Sequence, residues 1–183
     1  ILQAAVWAPS GGNRQPWRII AVQDPNIKKQ LGAIYSTEWD KYVEMNMQKL
    51  AGASEEIQAA AKKGFATGTH LARNLHEVPV VCMFIHNPAD VYTTDANLGR
   101  TPVVGGGSLY PAVQNVLIAA RAEGLGGVLT TLIASREAEV REVLNIPEPW
   151  AVHAMVPLGY PKGKHGPLRR APLEEMVMFN TWS

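Results

Sequence analysis

Residues 9–15 read PSGGNRQ and gather more hydrogen-bond donors than a connector between two apolar segments needs. Pro9 fixes φ, Ser10 adds turn chemistry, and Gly11 and Gly12 permit φ > 0 while letting another molecule approach the backbone closely. Asn13, Arg14 and Gln15 add two amides and a guanidinium, so the stretch can cradle something polar. A second cluster lies near the C-terminus. There Lys162, Lys164, His165, Arg169 and Arg170 occupy a proline-flanked segment with no acid between them. Arginine pairs suit bidentate phosphate binding, although a solvated basic loop has the same composition.

Other chemistries lack their residues. His70, His76, His86, His153 and His165 are scattered, with no pair at metal-ligand spacing beside a carboxylate or thiolate. There is no G-x-S-x-G elbow and no P-loop, since GGGSLYP follows a loop and lacks the phosphate-binding lysine. The single cysteine, Cys82, sits inside VPVVCMFI and reads as a buried structural thiol. If the chain is an enzyme, a bound cofactor carries its chemistry.

The elements that must position these residues alternate in period. The pattern predicts a helix over 2–8, a strand over 18–23, and a helix over 26–34 opened by Asp24 and Pro25. Further helices follow over 36–50 and, from the Ser54 cap with Glu55 and Glu56, over 54–65. A strand over 79–86 leads into the turn-rich stretch 87–107, expected as a long exposed loop. The clearest helix spans 108–124, with Ser108 as cap, Pro111 in the first turn and Gly124 at its end. Being apolar nearly all round from Ala112 to Ala120, it is expected to be buried on every side. Gln114 and Asn115 within it must bond to neighbouring backbone or to the same helix of a second copy. A strand over 125–133, a helix over 135–145 capped by Ser135 and a strand over 151–161 complete the series.

The chain has 183 residues, 46% of them hydrophobic, which suits one domain over 1–183 with a substantial core. Charged residues make up only 18%, so either the core is large or part of the surface faces a partner. A net charge of +1 gives no basis for a nucleic-acid interface. No apolar stretch approaches the ~20 residues of a membrane span, and the lone cysteine fits a reducing compartment, so a cytoplasmic protein is expected. The chain opens at Ile1 in mid-pattern, as though residues precede it.

From Ala8 to Trp17 the sequence APSGGNRQPW, followed by an apolar strand, resembles the N-terminal signature of the FMN-dependent nitroreductase family. PAVQNVLIAARAEGLGGVLTTL resembles that family's central helix and following strand, and VPLGYPKGKHGPLRRAPLEEMV its C-terminal strand and basic loop. The resemblance implies an α+β fold with a central, mainly antiparallel sheet flanked by helices. It implies two interlocked copies with two FMN sites at their interface. Pro9, Ser10, Gly11 and Asn13 would reach over the flavin held by the partner, Gln15 would keep that loop in shape, and Arg14 matches a variable position without a role.

The same resemblance lays the backbone of Leu129, Thr130, Thr131 and Leu132 against the isoalloxazine ring. A backbone N–H at the flavin N5 would favour the reduced form. Arg170 and Arg169 match the phosphate-binding cation, and Arg73 a cation at the pyrimidine edge, although an arginine at a helix end needs no ligand to explain it. Trp39 and Tyr42 lie on the helical insert from which an aromatic ring could stack over flavin. The family's usual R-x-S-x-R element would lie upstream of Ile1. The implied activity is ping-pong transfer from NADH or NADPH to nitroaromatics, quinones or similar acceptors. Flavin reduction, reductive dehalogenation and non-catalytic FMN storage are the alternatives.

Overall fold

The computed structural model describes residues 1–163 and 170–182. Its frame is one antiparallel sheet of four strands in the order β1-β2-β4-β3: β1 Trp17–Val22, β2 Val80–His86, β4 Ala151–Gly159 and the two-residue β3 Gly126–Gly127. Helices α1 (Leu2–Val6), α2 (Pro25–Lys49), α3 (Glu55–Arg73), α4 (Tyr110–Ala122), α5 (Glu137–Leu144) and α6 (Leu173–Met176) surround it.

Side chains alternate across the pleat of β2 and divide the core in two. Val81, Met83 and Ile85 face the cluster that holds Leu31, Ile34, Tyr35 and Leu75 together with Val140 of α5. Cys82 and Phe84 face the opposite cluster with Ala5 of α1 and Ala112, Val113, Val116 and Ala120 of α4. Cys82 is wholly buried, and burial pushes its thiol up to about 11, so it is the inert structural cysteine expected.

Several elements depart from the sequence pattern. The expected break between two helices at 35–36 is absent, and α2 runs unbroken. Ser36 lies inside α2, where its hydroxyl accepts a hydrogen bond from Arg73 Nη1 of α3. Helix α3 likewise continues past residue 65 to Arg73, through Gly64 and Gly68. Gly68 lies under the Trp39 ring, and any Cβ there would overlap that ring. Trp39 cannot swing away freely, because its Nε1 donates to Thr69 Oγ1 at 3.0 Å and its ring packs against Tyr35, Tyr42 and Phe65. Gly68→Ala gains about 1 kcal/mol of helix propensity, yet overpacking of this kind costs more. The net expectation is a loss of roughly 1–2 kcal/mol, read from the urea midpoint.

The strand expected over 125–133 shrinks to Gly126–Gly127 plus an isolated bridge from Thr130 to Met155. The chain then turns through a short 3₁₀ segment, Leu132–Arg136, into α5. Ser135 does not cap α5, because its Oγ donates back to Leu132 O at 2.8 Å. Helix α4 begins at Tyr110 without the Ser108 cap. It is buried on one side only, leaving Gln114 and Ile118 exposed. Asn115 bonds as expected to neighbouring backbone, donating from Nδ2 to Ala4 O at 2.9 Å. Gly124, at φ +76°, ends the helix region.

Candidate functional site

Loop 9–15 is a preformed structure at the His86 end of the sheet, where Trp17 pairs with His86 and Asn87 N donates to Pro16 O at 2.8 Å. Ser10 Oγ accepts from Gln15 N at 3.0 Å, and Gln15 Nε2 donates to Asn13 Oδ1 at 3.2 Å. Gln15 therefore keeps the loop in shape. Gly12, Asn13 and Gln15 all have φ between +49° and +58°, the left-handed region that a loop enters only when its hydrogen bonds hold it there. Gly11 N donates to Ser108 Oγ at 3.0 Å, which ties the loop to the start of α4 and explains why Ser108 is not a cap. Asn13 Nδ2 finds no acceptor among the described residues. An open cavity of about 460 Å³ lies here, lined by Gly11, Gly12, Arg14, Asp90, Tyr92 and Ser108.

Arg73 closes α3, and its guanidinium spans Ser36 Oγ and Asp40 Oδ1 of α2, the latter at 2.6 Å. Thr130 bridges Met155 with both backbone groups, its N donating at 3.0 Å and its O accepting at 2.9 Å. Its Oγ1 accepts from Leu132 N at 3.4 Å. The N–H groups of Leu129 and Thr131 are left without acceptors among the described residues, beside the exposed side chains of Val128 and Leu129. Of the expected backbone donors, Leu129 and Thr131 are thus the available ones. Arg170 is exposed just before α6, whereas Arg169 lies outside the described residues.

Within one chain, loop 9–15 and the 129–132 segment lie at opposite edges of the sheet. Helix α4 leads from Ser108, beside the loop, toward Gly126 and Gly127, which pair with Gly159 and Leu158 at the Val80 end of the sheet. Its 13 residues span about 20 Å, and the seven residues of β2 span a similar length. Loop 9–15 leads into β1 at one edge of the sheet, whereas Thr130 bridges β4 on the β3 side at the other, so three strand spacings, about 14 Å, lie between β1 and the 129–132 segment.

Sequence reasoning missed one pair that the fold assembles. Phe84 faces Ala154 and Ile85 faces Val152, so His153 is an extra residue in β4, a β-bulge. The bulge turns its ring onto His86, with Nδ1 to Nδ1 at 3.1 Å, and the Tyr110 ring stands 4.9 Å from His153. Burial, and then the neighbouring His86, pull His153 down to about 4; burial also lowers His86, against the opposing field of Glu137. The two histidines are 67 positions apart, and only knowledge of strand register could have joined them.

The sequence model of the Nitroreductase family matches residues 1–160. The chain belongs to the nitroreductase family. A relative from Archaeoglobus fulgidus, provisionally named NADH dehydrogenase/NAD(P)H nitroreductase, is 30% identical over 88% of this chain and 71% of its own length. An NADH dehydrogenase from Thermus thermophilus is 29% identical over 98% of the chain and 82% of that protein. Among solved structures, an oxidised iodotyrosine deiodinase bound to FMN and 3-iodo-L-tyrosine superposes with a TM-score of 0.69 at 23% identity, covering 99% of this chain and 85% of that one. The chain is thus an oxidoreductase of this family with its mixed helix and antiparallel-sheet fold, as the resemblance implied. Its relatives carry different activities on that fold.

The donor set of this nitroreductase-family chain fits a flavin. Two backbone N–H groups without acceptors among the described residues, beside exposed apolar side chains, suit a planar heteroaromatic ring with acceptor atoms along its edge. The described residues contain no helix long and apolar enough to cross a membrane.

Proposed function

We propose that this chain is an FMN-dependent NAD(P)H oxidoreductase acting as a homodimer. Each flavin would lie against Leu129, Thr130, Thr131, Leu132 and Arg73 of one copy, under Pro9, Ser10, Gly11 and Asn13 of the other. The observation that carries this reading is the placement of loop 9–15 and the 129–132 segment at opposite edges of the sheet in one chain, about 14 Å apart across the strands, which a second copy can bring together. The low share of charged residues and the exposed Trp7 and Ile118 on α1 and α4 suit a large protein interface.

When bound, FMN supplies reversible electron transfer from NADH or NADPH to a second, electron-poor substrate. The chain's own part is to bind and orient. The Leu129 and Thr131 N–H groups would hold the ring edge, Arg73 would supply the cation for the pyrimidine, and Arg170, with Arg169, would pair the phosphate. Asn13 of the partner closes the slot with its free amide. No side chain is required as acid or base, because solvent can deliver the protons. Nitroaromatics and quinones are the acceptors proposed, with segments 36–65 and 87–107 shaping the acceptor side.

The test is direct. Purified protein should be yellow, and its flavin band should bleach when NADPH or NADH is added without oxygen and return on addition of a nitroaromatic or quinone. Colour that persists with both nicotinamides would mean FMN storage without turnover. Recovery with free flavin or a halogenated phenol alone would move the reading to flavin reductase or dehalogenase, and protein that stays colourless in FMN would end it. Arg170→Ala is expected to weaken FMN binding by about 1–3 kcal/mol, roughly 5–150-fold in Kd, in a fluorescence titration.

A further inference from the structure

We propose that His86 and His153 form a binding site for one divalent transition-metal ion of the zinc, nickel or copper(II) class, at the wall of the cavity beside α4. This site is independent of the flavin reading. The geometry of the pair is that of two rings sharing one point. Nitrogens each about 2.0–2.1 Å from a common ion, and about 100° apart around it, lie ~3.1 Å from each other. Their ring centroids, about 1.1 Å further out, then lie ~4.8 Å apart. The observed values are 3.1 Å between the Nδ1 atoms and 4.7 Å between centroids. A straight N–H···N bond of the same length would hold the centroids about 5.3 Å apart. The rings are perpendicular, at 89°, so both lone pairs can converge without the planes colliding.

The surroundings support an open coordination sphere. The two rings line a cavity of about 400 Å³ with Thr93, Val91, Tyr110 and Gly106, which leaves room for water or a small anion on the remaining coordination positions. Gly106 is required there, because a Cβ would overlap the Tyr110 ring and lie 3.1 Å from His153 Nε2. The β-bulge at His153 is the device that aims the second ring, a role bulges commonly serve at sites. Imidazole nitrogens with no carboxylate in the set select zinc, nickel and copper over magnesium or calcium. Binding needs both Nδ1 lone pairs, so the ring holding a proton at Nδ1 moves it to its own Nε2 through solvent, and no net charge leaves the pair.

Cu²⁺ added to the chelator-treated, flavin-loaded protein is the probe. The expected result is one ion bound per chain at micromolar free Cu²⁺, with an electron paramagnetic resonance spectrum carrying hyperfine structure from two equivalent nitrogens. His86→Gln and His153→Gln should each weaken binding at least about tenfold, while His70→Gln on the surface of α3 leaves it unchanged. Calorimetric titration with Ni²⁺ should rank the variants identically. An all-oxygen or single-nitrogen spectrum of the unmutated protein, binding only at millimolar ion, or affinity that neither folded histidine variant changes would overturn the proposal. The spectrum of the unmutated protein decides even if a variant fails to fold.

Discussion

Phe84→Ala is expected to destabilise the fold by about 3–5 kcal/mol, the largest effect of any single truncation considered. Phe84 is wholly buried and occupies the middle of β2, between Ile19 of β1 and Ala154 of β4. Its ring faces the cluster built by α1 and α4, where the surrounding residues include Ala5, Ala112, Ala120 and Ala154. Alanines have no side chain to rotate into a vacated volume, and the strands on both sides hold β2 in place. The cavity therefore persists, and the cost lies above that of transferring the ring alone. Phe84→Leu keeps most of the volume and should cost less than half as much. Urea unfolding at fixed protein concentration reads both, and an unchanged slope with a lower midpoint would assign the loss to packing. A cost for Phe84→Ala below about 1 kcal/mol would mean that the two halves of the core collapse onto each other more readily than their alanines allow.

How far the sequence exposed the fold depended on whether each signal was local. Asp24 does cap α2, its Oδ1 accepting from Asn26 N at 2.7 Å and Ile27 N at 3.0 Å, because an N-cap needs only residues within one turn. Strand β2 was legible from its apolar run, and β4 was expected as a strand over 151–161. Ser108 and Ser135 misled, since each hydroxyl has a partner that the local pattern does not reveal: Gly11 and Leu132 respectively. The exposed face of α4 was unreadable for a different reason. An apolar surface looks the same whether its own chain or a second copy covers it, and Ile118 stays exposed in a single chain. For the site, the shape of loop 9–15 followed from its glycines and amides. Which N–H groups near Thr130 stay free depended on the bridge to Met155, a contact made across the sheet. The His86–His153 pair depended on a bulge, and a one-residue insertion in a register leaves no mark in composition.

That pair also sets the expected response to acid. In the unfolded chain both histidines titrate near 6.5, whereas in the fold His153 is held to about 4 and His86 is lowered, in each case chiefly by burial. Above pH 6.5 both states carry neutral rings and the fold loses nothing. As pH falls below that value the unfolded chain takes up protons that the fold refuses, so stability declines, and the decline levels off near pH 4 once His153 is charged in both states. His153 alone is expected to remove on the order of 3 kcal/mol across that window, and His86 adds to the loss in the same direction. Glu38 and Asp95 are lowered by their partners, so their contributions fade as acid protonates them, toward the bottom of this range and beneath it. The window therefore belongs to the histidines. His153→Gln should flatten the midpoint-against-pH curve between pH 6.5 and 4 while keeping a neutral polar ring-sized group beside Tyr110. A curve that falls just as steeply in that variant would place the acid response elsewhere in the molecule.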